Sequence, residues 1–234
     1  MSEFTHFKDR EDAGRQLARR LQHYAHNPNV LVLGLPRGGV PVAYQVAHAL
    51  GAPLDILLVR KLGLPGHEEY AMGAIAAGGI RVLQKNVLGQ LHIAPAEVQE
   101  VIDRETQVIE QREHLYRDGT PALPLEGRIV ILVDDGLATG STMRVAVEAA
   151  RRHKPARLVV AVPVGAPDAC ATIGAEVDEM VCLSSPILFQ AVSQWYAAFG
   201  QTSDAEVQDL LARARQPDAA QEEREAELAT QFTR

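Results

Sequence analysis

Two adjacent carboxylates, Asp134 and Asp135, end the apolar run RIVILV and lead into GLATGST. Ionised carboxylates only accept hydrogen bonds, so acids at such a place call for a donor or a cation: the vicinal hydroxyls of a sugar, or a divalent metal. The residues that follow supply the opposite chemistry. Gly136 and Gly140 let the backbone approach a ligand closely, while Thr139, Ser141 and Thr142 bring hydroxyls and N–H groups to a helix start that suits a dianionic monophosphate. A sugar phosphate satisfies both ends of the loop. A capped helix after a buried strand would account for Ser141 and Thr142, but not for two acids at the strand end. Other phosphate loops fit worse: GLATGST has neither the spacing nor the lysine of GxxxxGK[ST], and GLPRGG after the first apolar run lacks the glycine spacing of GxGxxG.

The elements that must hold this loop are legible from hydrophobic periodicity. Ala13, Leu17, Leu21 and Ala25 recur every fourth residue and predict an opening helix that stops near Asn27 and Pro28. VLVLG at residues 30–34 reads as a buried strand, VPVAYQVAHAL as a helix closed by Gly51, and LDILLV at 54–59 as a second buried strand, which together make a parallel βαβ unit. Two short strands around Gly78 and Gly79, within residues 70–84, predict a projecting hairpin. Val98, Ile102, Ile109 and Tyr116, interleaved with Val101, Val108 and Leu115, mark a long amphipathic helix over 95–117, packed on the core or on a neighbouring subunit in a homodimer. Residues 128–135, 157–164 and 180–183 give the third, fourth and fifth strands, with a helix over 143–153. The expected fold is α/β, an open, doubly wound, mostly parallel sheet, whose carboxyl ends gather LPRGG, RKLG and DDGLATGST.

Composition narrows the function. With 234 residues and 47% hydrophobic content the chain can bury a full core, read as one domain over 1–215 (core 28–183, hood elements 184–200) and a polar, frayed or disordered tail over 216–234. A net charge of −7 offers no global positive field for nucleic acid. MSEFTHFKDRED lacks the apolar run of a secretory signal, and no stretch reaches the ~20 apolar residues of a membrane span, so a soluble, cytoplasmic protein is expected. Cys170 and Cys182 match no CxxC spacing and read as ordinary buried thiols, and the eight histidines show no clustered ligand spacing.

With these residues in view, VILVDDGLATGSTM resembles the signature of the type I phosphoribosyltransferases, above all its adenine-type DDxLATGxTM form. LPRGG resembles that family's pyrophosphate loop, and VRKLG its second pyrophosphate contact. GLPRGGVPVA and VRKLG together are also similar to a bacterial group of stand-alone phosphoribosyltransferase-like proteins. Taken alone, RKLG would pass for surface sequence and LPRGG for a plain turn; their order along the chain adds weight. The resemblance, which spans about 30–183, implies 5-phosphoribosyl 1-pyrophosphate as substrate and Mg as cofactor. It implies Asp134 and Asp135 on the ribose hydroxyls and on Mg, directly or through water, with Ala138, Thr139, Gly140, Ser141 and Thr142 on the 5′-phosphate. Arg37, Gly38 and Gly39, with Arg60 and Lys61, would hold the pyrophosphate that a nitrogenous base displaces from ribose C1 through an oxocarbenium-like transition state.

The same resemblance limits the acceptor. Enzymes for 6-oxopurines usually carry an aspartate where this chain has Ala138, and adenine-type enzymes a glutamate in the mobile hairpin where residues 72–76 are apolar or glycine. Residues 64–83 are the candidate hairpin, with Glu68, Glu69 and Tyr70 at its base. Residues 184–200 are the candidate hood, in which Phe189, Trp195, Tyr196 and Phe199 form either a stacking wall for the base or plain core. Two further functions share the site: a regulatory protein that senses the ribosyl pyrophosphate without transferring it, and hydrolysis or salvage of another phosphoribosyl compound.

Overall fold

The computed structural model describes residues 6–83 and 93–216. Five strands, β1 (Val30–Gly34), β2 (Leu54–Ile56), β6 (Ile129–Val133), β7 (Arg157–Val164) and β8 (Glu179–Ser184), form a parallel sheet in the order β2-β1-β6-β7-β8. Helices lie on both faces, as a parallel sheet requires when each strand is apolar on both sides. Successive side chains of a strand point to opposite faces. Val30 and Val32 accordingly enter one core, with α1 (Arg10–Arg20), α2 (Gly39–Leu50), α3 (Pro95–Arg117) and α6 (Asp204–Arg215), while Leu31 and Leu33 enter another with α4 (Ser141–Arg152) and α5 (Pro167–Gly174). The predicted class, an open, doubly wound α/β sheet, is the observed one.

The run 54–59 is not one strand. β2 stops at Ile56, Leu57 and Leu58 cross over, and Val59 opens β3 (Val59–Leu64) of a second sheet with β4 (His67–Ala76) and β5 (Ile80–Leu83), antiparallel in the order β3-β4-β5. All of residues 54–58 are buried, so the apolar pattern continues across a change of partner strand that it cannot register. Consequently RKLG lies within β3 and not in a loop at the main sheet's edge, and the expected two-stranded hairpin is a three-stranded sheet. Gln84, expected at the end of its last strand, lies outside the described residues, as do the side chains of Glu68 and Glu69; Tyr70 is exposed.

Helix α3 packs against β3 and β4 on one side and α6 on another. Val98, Val101, Ile102, Ile109 and Tyr116 of the predicted seam are buried, whereas Val108 is half-buried and Leu115 exposed. At its carboxyl end Arg117 meets Asp55 of β2: Nη1 lies 2.6 Å from both carboxylate oxygens, Nη2 donates to the Ile56 carbonyl at 3.0 Å, and the Leu123 N–H donates to Asp55 Oδ2 at 2.9 Å. Both charged side chains are buried, so this pair fixes α3, and with it the small sheet, to the edge of the large one. Among the described residues no helix is long and apolar enough to cross a membrane. Residues 217–234 of the expected tail lie outside the described residues.

Candidate functional site

The carboxyl ends of β1, β6 and β7 converge. The Leu35 N–H donates to the Val133 carbonyl at 2.9 Å, and the peptide bond between Pro36 and Arg37 is cis. Two glycines then make contact with the acids possible. A Cβ on Gly38 would fall 2.0 Å from Asp135 Oδ2, and one on Gly39 would fall 2.7 Å from the Val133 carbonyl and 2.9 Å from the Asp134 Cα. No other residue fits either position without displacing backbone or the carboxylate. LPRGG and the acidic pair are therefore one surface. Arg37 is half-buried, with Nη1 3.9 Å from Asp204 of α6.

Beyond the acids, Leu137 is bound on both sides of its peptide by the end of β7: its N–H donates to the Val164 carbonyl at 2.9 Å, and its carbonyl accepts from Ala166 at 2.8 Å. Ala138 and Thr139 are exposed, and Gly140 turns the chain with φ 75°, a left-handed conformation that favours glycine. Helix α4 starts at once. Its first turn is drawn by Arg144 donating to the Gly140 carbonyl at 2.8 Å, so the N–H groups ahead of Arg144 have no intrahelical acceptor. Ser141 N–H reaches only Thr139 Oγ1, at 3.4 Å, and the Thr139 and Ser141 hydroxyls lie 3.0 Å apart. The exposed Ser141 and Thr142 complete a helix N-terminus open to an anion.

The acids themselves are strained electrostatically. Asp134 is held well above the ordinary carboxylate range, first by burial and then by the charge of Asp135; its Oδ1 accepts the Asp135 N–H at 2.9 Å. Burial raises Asp135 as well, against the pull of Arg10. Arg10, on α1, donates from Nε to Asp135 Oδ2 at 2.9 Å with Nη2 2.8 Å from the same oxygen, donates from Nη1 to the Gly200 carbonyl at 2.6 Å, and lies 4.0 Å over the Phe199 ring. Tyr196 donates to the Asp135 carbonyl at 2.5 Å, and Gly136 is packed so closely by Val192 that a Cβ there would fall 2.5 Å from its Cγ1.

Nothing in the sequence points to Arg10 or Val192, or to the bond from Tyr196 to Asp135. Arg10 sits in the polar run KDRED, where Asp9 caps α1 by accepting the Asp12 N–H, and such a run reads as a solvated helix start. Of the two readings of the aromatic residues in 184–200, plain core fits Trp195 and Tyr196, which are buried with Phe7, while the Phe199 face carries Arg10.

Arg60 and Lys61 lie on β3 of the small sheet, which packs against α4 as well as α3, and they line a cleft with Arg104 and Glu105. Arg60 donates from Nε to Glu105 Oε2 at 2.8 Å, its Nη2 lies 2.7 Å from the same oxygen, and Arg104 Nε meets Glu105 Oε1 at 3.3 Å. Glu105 is 8% exposed. A buried acid on the apolar seam of α3 thus orients Arg60; its place within that seam was the only available sequence signal.

The carboxylates can be tested as metal donors. With Asp134 Oδ1 taken by an amide and Asp135 Oδ2 by Arg10, the remaining oxygens are Asp134 Oδ2 and Asp135 Oδ1. Among the described residues no cluster of three His, Cys, Asp or Glu could hold a metal alone. Such a donor set fits Mg²⁺ arriving with a diphosphate, since that ion keeps waters and takes one or two carboxylates besides its phosphate ligands.

Residues 1–187 match the model of the phosphoribosyl transferase domain. The chain belongs to that family. It is 49% identical over 208 residues to a Mycobacterium tuberculosis protein provisionally named a phosphoribosyl transferase, covering 89% of this chain and 47% of that one, so the chain spans about half the length of the curated relatives it matches. The crystal structure of TT1426 from Thermus thermophilus superposes with a TM-score of 0.79 at 41% identity, covering 89% of this chain and 99% of that one. The phosphoribosyl transferase fold expected from DDGLATGST, LPRGG and VRKLG is the fold this chain has.

Proposed function

We propose that the chain binds 5-phosphoribosyl 1-pyrophosphate with magnesium and transfers the phosphoribosyl group to a nitrogenous base, releasing pyrophosphate. The observation that carries this reading is the approach of Gly38 and Gly39 to Asp134 and Asp135, which sets the half-buried Arg37 and Gly38 beside an acidic pair whose chain continues into a helix start with free N–H groups, although the Gly39 N–H is taken by the Leu35 carbonyl at 3.0 Å.

In this reading Asp134 Oδ2 and Asp135 Oδ1 accept from the ribose hydroxyls, and residues Ala138, Thr139, Gly140, Ser141 and Thr142 hold the 5′-phosphate. Arg37, Gly38 and Gly39 hold the pyrophosphate with Arg60 and Lys61. As the bond from C1 to the pyrophosphate oxygen breaks and the bond from C1 to the base nitrogen forms, negative charge grows on the leaving group, where fixed cations and amides stabilise it. Asp134 and Asp135 would hold magnesium, directly or through water, and the ion would supply positive charge that stabilises the leaving group. Arg10 fixes the rotamer of Asp135 and keeps one of its oxygens turned to the site. The methyl of Ala138 disfavours a 6-oxopurine acceptor.

Calorimetry with phosphoribosyl pyrophosphate and magnesium tests the common core of this reading. Each charge-assisted hydrogen bond is worth ~1.5–3 kcal/mol. The Asp134→Asn, Asp135→Asn double variant should therefore bind at least about a hundredfold more weakly. Equal affinity in both proteins would sink the assignment. Pyrophosphate release against a panel of bases then reports transfer, and binding without release across the panel would point to a sensor.

A further inference from the structure

The two cysteines take no part in the chemistry above, and their sequence spacing conceals their relation. Cys170 on α5 and Cys182 on β8 place their Sγ atoms 3.5 Å apart, in direct contact, and neither residue is fully buried. They are a thiol pair, not two isolated core thiols. Space for Cys170 is made by Gly165, where a Cβ would fall 2.4 Å from its sulfur, and Cys182 also donates to the Ser184 carbonyl at 3.1 Å. The contact with Cys182 draws the Cys170 thiol down to about 7 and pushes the Cys182 thiol up, which marks Cys170 as the nucleophile of the two.

The pair lies directly behind the phosphate loop. Gly165 forms a bridge with Leu137, and Ala166 donates to the Leu137 carbonyl. A Cβ on Gly140 would rest 3.6 Å from Ala169 and from Ile173, so α5 is the floor on which the loop's left-handed glycine sits. Cys170 is the neighbour of Ala169 on that floor.

We propose that Cys170 and Cys182 form a reversible intramolecular disulfide that loosens the phosphate loop. The oxidant is a low-molecular-weight disulfide. The Cys170 thiolate attacks one of its sulfurs, its S–S bond breaks, and one small thiol leaves with a proton. Cys182, on losing its proton, then attacks the Cys170 sulfur and releases the second small thiol, so two protein thiols are oxidised while one external disulfide is reduced. A disulfide requires sulfurs about 2.05 Å apart, so the pair must close by roughly 1.5 Å. Because β8 is fixed by its ladder to β7, the movement falls on α5 and draws Ala169 and Ile173 away from Gly140. The link itself is independent of the proposed function; its effect on affinity rests on that reading.

The full chain, reduced and then treated with oxidised glutathione, is the test. Intact mass should fall by two hydrogens, peptide mapping should join the Cys170 and Cys182 peptides, and dithiothreitol should restore the starting mass. In the linked form the backbone amides of Gly140, Ser141 and Thr142 should exchange hydrogen several-fold faster, and affinity for phosphoribosyl pyrophosphate with magnesium should drop about tenfold, a usual size for coupling between sites. Cys170→Ser should be insensitive to oxidant in exchange and affinity, and Cys182→Ser should stop at a single glutathione adduct on Cys170 with no internal link. Two free thiols, or separate glutathione adducts on each cysteine, overturn the proposal, as does a clean link that leaves exchange at residues 140–142 unchanged. Should the reduced protein not bind the sugar pyrophosphate at all, the functional reading fails, while mass and hydrogen exchange still decide the thiol pair.

Discussion

The two polar regions of the candidate site are built by opposite means. The acids and the phosphate loop hang from the ends of buried parallel strands, and their loops are so short that Gly38 and Gly39 touch the acids directly. Arg60 and Lys61 instead stand on a separate antiparallel sheet that is secured from outside, by Glu105 on α3 and, through α3, by Asp55 and Arg117. Backbone geometry positions the loops at the edge of the large sheet, and side-chain charge positions Arg60 on the small one. Substitutions should therefore damage the first sterically and the second electrostatically.

The largest effect should come from the mounting. Asp55→Ala strands Arg117 in the interior, and losing one partner of a buried pair costs ~3–5 kcal/mol, to be read as a lowered urea midpoint. A midpoint equal to that of the parent would show that the small sheet has another anchor. Next, Arg60→Gln should raise the barrier by ~2.7–4 kcal/mol if Arg60 acts on the departing charge as a preorganised donor does, with the fall in turnover exceeding the fall in affinity. Turnover within about threefold of the parent would remove Arg60 from the chemistry. Gly38→Ala comes third: the methyl meets Asp135 Oδ2, and such overpacking costs ~1–3 kcal/mol in stability, together with loss of sugar pyrophosphate binding. Unchanged binding there would refute the steric half of the contrast.

Smallest is a slope with pH. Burial raises Asp134 and Asp135, so between the ordinary carboxylate range and their raised folded values the native state holds more protons than the unfolded chain. Stability of the ligand-free protein should fall as pH rises through that window, while affinity for the diol should grow as the acids ionise. Asp134→Asn should flatten the stability slope; an identical slope in the variant would mean that other groups carry it.

Much of the acidic loop was legible because its chemistry is local. The acids, the glycines and the hydroxyl residues of DDGLATGST are consecutive, and the apolar runs that hold them alternate regularly with helices. What escaped is non-local. The break of the 54–59 run at Leu57 depends on which strand pairs next, a fact that hydrophobicity does not encode. Arg10 reaches Asp135 across 125 residues of sequence and looked like ordinary helix polarity. Glu105 lay in plain view as an acid on an apolar seam, yet its partner was visible only once β3 was placed against α3. Cys170 and Cys182 failed every short motif because sheet topology, not spacing, joins them.

The Arg10 contacts have an implication for biogenesis. Nη1 of that residue is bonded to a carbonyl 190 positions further along, and the Phe7 N–H donates to the carbonyl of Trp195. During synthesis the opening helix therefore waits for almost the whole described chain to emerge before its guanidinium acquires the second of its two oxygen partners. On the ribosome the contacts that hold Arg10 and Phe7 in place are thus completed only after Trp195 and Gly200 have emerged.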